Sequence, residues 1–498
     1  MEIGNSLKER LKFLIKDAGF YGSLRAATKA LSIFTFPILA RIFSKEEYGL
    51  VDGIAIFASI FGPLIIMGQD SAIARYFYET NDTKTRCQIV STGFWIEMVL
   101  AFIITGTLFF HAEFIMHTVL KSTQYTYAYR IAVLSLPFTV LHQFGLNLMK
   151  WTFQRKQYLV LTIGISITTI VLTLILVLVF RVGIIGVFWS NLLSNCIFSL
   201  FALFFCRKYL TILSSFKYLV PLAKFGYPYM LIGIGFAIFP SVDRYFIANY
   251  LTLTDLGTYA VALKIMIFVS LPVTAFRTAW SPFAYFIHKQ PDAGNTYSKI
   301  LTYYTFAGVL GILIVLLIGQ PVMTLMASKK YEVSAVVMAL LAFFVILNGS
   351  YYITGIGVGL SKKTIFSAMS YYGGIGVSVL ANFLLVPRLG IMGAALGTAL
   401  GQLSAVVFIT IAAQRLYPIP YDFKRCILIL SLGVMTAWGI SAVDVDSQVT
   451  CFTAKSAMIG LFISLNFYFI FETFERRKIY GLVSKYLARL TGRQIEIS

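Results

Sequence analysis

The chain has 498 residues, of which 58% are hydrophobic, 16% aromatic and only 12% charged, about half the charged fraction of a soluble domain. That composition excludes a water-soluble globule: apolar stretches of about 20 residues, the length that crosses roughly 30 Å of hydrocarbon, recur along the sequence. The net charge of +20, from 41 Lys and Arg against 21 Asp and Glu, would point to nucleic acid in a soluble protein, so its position along the chain has to be read.

Residues 1–17 form a basic segment without the apolar core and small-residue cleavage site of a signal peptide, so the first span is expected to direct insertion. Spans are predicted at 18–43, 49–76, 89–110, 129–149, 158–180 and 184–206. After a basic linker over 208–224 they resume at 225–249, 257–282, 299–319, 334–356, 365–386 and 392–414, then at 426–443 and 456–474, before a basic tail over 476–498. The expectation is an all-α polytopic membrane protein of about fourteen helices. It divides into an N-lobe over 18–207, a C-lobe over 225–414, and two appended helices within 415–475. No connection is long enough for a soluble domain, so function is expected within the bundle.

Basic residues concentrate in the N-terminal segment, in connections that follow an even number of spans, and in the tail: Lys84 and Arg86, Arg155 and Lys156, Arg207 and Lys208, Lys362 and Lys363, Lys424 and Arg425, then Arg476, Arg477 and Lys478. Positive charge collects on the cytoplasmic side of membrane proteins. Both termini are therefore expected in the cytoplasm, and most of the +20 sets topology and faces lipid headgroups, with no nucleic-acid partner. The five cysteines (Cys87, Cys196, Cys206, Cys426, Cys451) and four histidines (His111, His117, His142, His288) are scattered, without metal-ligand spacing.

An internal repeat runs through this plan. RVGIIG at Arg181 to Gly186 returns as RLGIMG at Arg388 to Gly393, about 207 residues later. Arg155-Lys156 matches Lys362-Lys363 at that shift, and SKEEYGL around Gly49 matches TLTDLGT around Gly257, with Glu47 opposite Asp255. Six helices per copy is an even number, so both copies enter the membrane with the same orientation. Gly393, Gly397 and Gly401 recur every four residues, a small-residue face for close helix packing.

Ionisable groups at membrane depth are costly and mark sites or partners. Arg25 and Lys29, four apart, share one face of the first span with Thr28 and Ser32. At 1.5 Å per residue, Lys29 lies about 20 Å below the outer end and Arg25 about 6 Å deeper. On the second copy, Arg244 lies about 8 Å and Lys264 about 10 Å below the outer ends of their spans. Arg75 and Arg277 close cytoplasmic ends, where snorkelling is the simpler reading, and Asp243 can pair with a cation. An excess of buried positive charge calls for an anion, so these six cations are candidates for a cavity that receives a phosphorylated or acidic substrate. Asp52, Asp70, Glu97 and Asp243 are the carboxylates at depth; Glu97 and Asp243 are the candidates for proton or sodium coupling, and no other cofactor is expected.

The segment PILARIFSKEEYGLVDGIAIFASIFGPLIIMGQDSAIARYFYE, from Pro37 to Glu79, resembles the N-terminal signature of bacterial polysaccharide-biosynthesis membrane proteins, the oligosaccharide flippases of the multidrug/oligosaccharidyl-lipid/polysaccharide exporter superfamily. SVDRYFIANYLTLTDLGTYAVALKI, from Ser241 to Ile265, resembles the matching element of the family's second half. The resemblance implies two six-helix lobes rocking about a central cavity and carrying an undecaprenyl-diphosphate-linked oligosaccharide to the outer leaflet of the bacterial inner membrane. It implies that Arg25, Lys29, Arg244 and Lys264, with Arg75 and Arg277, meet the diphosphate and sugar acids, and that a glycan polymerase and chain-length machinery are partners. It also implies a lipid-facing groove formed by the last two helices. Two alternatives stay open: a cation-coupled drug exporter, which needs an acidic or aromatic cavity, and a membrane polymerase or ligase, which needs a sizeable outer loop.

Overall fold

Apolar sequence in a membrane must satisfy its own backbone amides, and here it does so as helices. The computed structural model describes residues 33–211, 216–443 and 448–469, with Leu24, Ala27, Thr28, Ala30, Leu31 and Arg476. In chain order the helices are α1 (Ile33–Ile42), α2 (Lys45–Glu79), α3 (Thr83–Phe110), α4 (Thr126–Trp151), α5 (Arg155–Val179), α6 (Ile185–Cys206) and α7 (Lys217–Tyr250). They continue as α8 (Leu253–Ile265 and Ile267–Ile287, bent by 48°), α9 (Ala293–Met326), α10 (Ala335–Leu360), α11 (Ile365–Leu389), α12 (Ile391–Leu416), α13 (Phe423–Ala442) and α14 (Val449–Tyr468). Among the described residues twelve are long and apolar enough to cross a membrane, thirteen with the bent α8. The chain is a multi-span helical membrane protein.

Several helices outrun the apolar stretches that announced them. Polar caps extend them: Ser44 accepts from Glu47 N at 3.1 Å while the Glu47 carboxylate takes Ser44 N at 2.8 Å, a capping box that starts α2 at Lys45. Asp82 caps α3 by accepting from Lys84 N and Thr85 N. The expected polar loop between α3 and α4 instead contains a short helix, Ala112–Leu120.

The repeat recurs in the elements. Thr252 and Asp255 build on α8 the capping box that Ser44 and Glu47 build on α2. Both helices then break within about a turn of corresponding positions, α2 at Ile60 and α8 at Met266. Gly183 and Gly390, in the two copies of the arginine-glycine motif, both adopt a positive φ, 67° and 59°.

By contacts the chain forms two compact units, Met1–His288 with Gln320–Pro418, and Lys289–Gly319 with Ile419–Ser498. In the first, α12 packs its glycine face on α11: a β-carbon at Gly401 would stand 2.8 Å from Gly374 O, and one at Gly397 2.8 Å from Asn382 Cγ. The same unit joins α2 to α8 backbone to backbone, where a β-carbon at Gly49 would lie 2.6 Å from Gly257 N and one at Gly257 would meet Lys45 O. Beside that crossing, the Lys330 ammonium donates to Phe43 O at 2.5 Å and Arg41 donates to Leu325 O at 2.7 Å. In the second unit, α9 packs on α13 and α14 through Val309 against Gly433 and a stacked Phe306–Phe462 pair with centroids 5.8 Å apart.

Candidate functional site

A cavity of about 630 Å³ lies within the first unit, walled by α1, α2, α7, α8, the end of α9 and α10. Arg244, Lys264 and Arg277 line it together, with Asp52 as the facing carboxylate. Among the described residues, three cations against one acid leave a lining of +2, an unusual concentration in a chain with 12% charged residues. Ile33, Phe36 and Phe344 supply apolar wall, while Ser270, Thr274 and Asn348 add polar groups.

Each cation is held differently. Arg244 is buried near the end of α7, where its Nη1 donates to Asp243 Oδ1 at 2.9 Å and to Pro240 O at 2.5 Å. Asp243 is fully buried, and its second oxygen accepts from Tyr259 OH at 2.6 Å and Thr398 Oγ1 at 3.2 Å. A buried charge is tolerable only when paired and hydrogen-bonded, which this arrangement achieves. Arg244 Nε points elsewhere, to Asp52 Oδ2 at 3.5 Å.

Arg277, half-buried on α8, donates to Asn348 Oδ1 at 2.8 Å and to the Tyr352 hydroxyl, with its guanidinium 3.8 Å from the Tyr352 ring centroid. Cation–π contact and two donors in one plane fix the group against the cavity wall. Trp280 Nε1 anchors the Tyr352 carbonyl at 2.9 Å, and Asn348 reaches Tyr371 OH at 3.4 Å. Lys264 is exposed to the cavity and makes no hydrogen bond or ion pair among the described residues.

The remaining expected residues lie elsewhere. Arg75, outside the lining, is exposed, paired with Glu79 at 3.0 Å and 4.6 Å from the Phe225 ring centroid. Glu97 is buried in mid-α3, within electrostatic reach of Asp70 and with no hydrogen bond or ion pair among the described residues. Arg25 and Lys29 lie outside the described residues.

Sequence reasoning gave no role to Asp52, Asn348, Tyr352, Tyr259 or Thr398. Asn348 and Tyr352 sit in NGSYY, a polar interruption of an otherwise apolar span that could have been flagged. The contacts of Asp52 and Thr398 join distant segments and have no local signature.

Residues 38–336 match the polysaccharide biosynthesis protein family. Among curated relatives, the Lsg locus protein 1 of Haemophilus influenzae is 25% identical over 284 residues, 56% of this chain and 67% of that one. The succinoglycan biosynthesis transport protein ExoT of Rhizobium meliloti is 26% identical over 267 residues, 52% of this chain and 51% of that one. Among solved structures, the fold is similar to the lipid II flippase MurJ in an inward closed conformation, with a TM-score of 0.72 at 16% identity over 92% of this chain and 99% of that one. An inward-facing multidrug resistance MATE transporter of the MOP superfamily gives 0.61 at 16% identity over 78% of this chain and 97% of that one. At those identities the likeness is one of fold. The family match spans more than half of the sequence and contains the Asp52, Arg244, Lys264 and Arg277 of the cavity, and on that basis this chain belongs to the polysaccharide biosynthesis protein family.

Proposed function

We propose that this protein flips an undecaprenyl-diphosphate-linked oligosaccharide from the cytoplasmic to the outer leaflet of the bacterial inner membrane, for synthesis of a cell-surface polysaccharide. The observation that carries the reading is the cavity in which Arg244, Lys264 and Arg277 meet inside an apolar chain. A diphosphate costs many kcal/mol in hydrocarbon, on the order of tens before any relaxation, so it needs a polar, cationic path while its polyprenyl tail stays in lipid. Lys264, without an internal partner among the described residues, is free to take phosphate oxygen, and Arg277 offers a fixed planar group beside an aromatic face suited to a sugar ring.

Arg25 and Lys29 precede the cavity residue Ile33 by eight and four positions, the spacing of one helical face, and join the same role. Transport proceeds by alternating access between the two repeats, with both termini cytoplasmic, and no covalent step is required. The printed names of the relatives, a succinoglycan transport protein and a lipid II flippase, support this direction. A net positive lining speaks against organic cations as cargo.

The test is depletion of the protein followed by mass spectrometry of lipid-linked glycans with leaflet-selective labelling. Accumulation of complete units in the cytoplasmic leaflet, uncorrected by Lys264→Ala and corrected by wild type, is the expected result. Accumulation of unpolymerised units in the outer leaflet would overturn it in favour of a polymerase.

A further inference from the structure

Asp52 is the one acid among the described residues of the cavity wall, and its surroundings point to a task distinct from binding cargo. It sits on α2, in the first repeat, while Arg244 sits on α7, in the second. Among the described residues, the other hydrogen bonds and ring contact of Arg244, to Asp243, to Pro240 O and to the Tyr259 ring, stay within the second repeat. Arg244 therefore keeps its place without Asp52, whose ion pair is what ties its guanidinium to the first repeat among the described residues.

That tie is weak by construction. Asp52 Oδ2 and Arg244 Nε face each other at 3.5 Å, too far for a hydrogen bond, and both atoms are buried with no other hydrogen-bond partner. The unmet Arg244 Nε donor favours any acceptor that reaches it at ordinary bonding distance. A phosphate oxygen in the cavity can do so at about 2.8 Å, the usual length of a charge-assisted bond to arginine. Asp52 is also three residues from Gly49, on the same face of α2, and Gly49 meets Gly257 of α8 backbone to backbone. The ion pair thus stands one turn below the crossing that joins α2 to α8.

We propose that Asp52 is a latch: its ion pair with Arg244 holds the two repeats together at the α2–α8 end while the cavity is empty, and an arriving diphosphate takes Arg244 from it and lets that end part. This rests on the reading of the cavity as an anion site. A bound substrate then lowers the barrier to its own release, since the group that recognises it is the group that kept the exit shut. Without cargo the latch re-forms.

The experiment uses the full chain in nanodiscs of phosphatidylethanolamine and phosphatidylglycerol, with its five native cysteines replaced by alanine and spin labels on Glu46→Cys and Thr254→Cys, exposed positions in the first turns of α2 and α8. Inorganic pyrophosphate is the probe, with its binding measured by calorimetry and the label separation by pulsed electron resonance. The expected result is a short separation without pyrophosphate and a longer one with it. Asp52→Asn should open the pair without pyrophosphate, raising the open-to-closed ratio about tenfold, or about 1.4 kcal/mol. Asp52→Glu, which keeps the charge, should restore the pyrophosphate dependence.

An Asp52→Asn protein that binds pyrophosphate as wild type does, yet stays closed until it is added, overturns the latch and leaves the proposed function standing. Wild-type protein that fails to bind pyrophosphate overturns both. Asp52→Ser, smaller and neutral, repeats the opening measurement should the asparagine variant not fold.

Discussion

Two arginines in one cavity are held by opposite strategies, and this decides how each responds to substitution. Arg277 relies on shape: its planar fork reaches Asn348 and Tyr352 at once and lies over the Tyr352 ring. Lysine keeps the charge and loses that geometry, so Arg277→Lys is expected to cut glycan export at least tenfold at an unchanged membrane level, read by surface-glycan staining against immunoblots. Arg244 relies on charge, and Asp243→Ala would leave its guanidinium buried without the carboxylate that its Nη1 reaches at 2.9 Å. Breaking a buried pair from one side costs about 3–5 kcal/mol, so this variant should unfold well below wild type in a detergent melt, whereas Asp52→Asn, which leaves Arg244 its Asp243 partner, should cost no more than the tenfold shift given above, about 1.4 kcal/mol. The cations were legible in sequence because charge in an apolar span stands out against its neighbours. Their partners were not: the Arg277–Tyr352 and Asp243–Thr398 contacts span 75 and 155 residues, and only the fold brings such residues together.

Helices in this protein pack most closely where side chains are missing. On α12 a side chain at Gly397 would run into Asn382 of α11, whereas Gly376 of α11 has nothing within 4 Å of its would-be β-carbon. Gly397→Leu is therefore expected to reduce recovery of monodisperse protein several-fold in size-exclusion chromatography, with Gly376→Leu close to wild type; overpacking of this kind costs about 1–3 kcal/mol or more. The four-residue glycine spacing marks this face in the sequence itself, and the repeat marks α8 as a copy of α2. The break of α8 at Met266 was hidden, because Ile265-Met266-Ile267 is as apolar as any helix interior and carries no glycine or proline. Hydropathy measures cost of transfer to lipid and has no term for direction, so it finds spans and misses bends.

At the scale of the whole molecule, the placement of 41 basic residues predicts an orientation that labelling can check. In intact spheroplasts, a membrane-impermeant maleimide should modify Gln124→Cys, in the connection before α4, and should reach Lys84→Cys, at the start of α3, only after permeabilisation. The reverse pattern would invert the transport direction proposed above. The Gly49–Gly257 crossing carries one glycine from each copy of the repeat. A six-helix unit on its own could form that contact only with another molecule like itself, at a strength set by how many were present. Joining the copies in one chain makes the encounter intramolecular, at an effective concentration on the order of millimolar that no dilution alters. It also frees the two halves to diverge, one keeping Asp52 and the other Arg244, so that a symmetric pairing could acquire a direction.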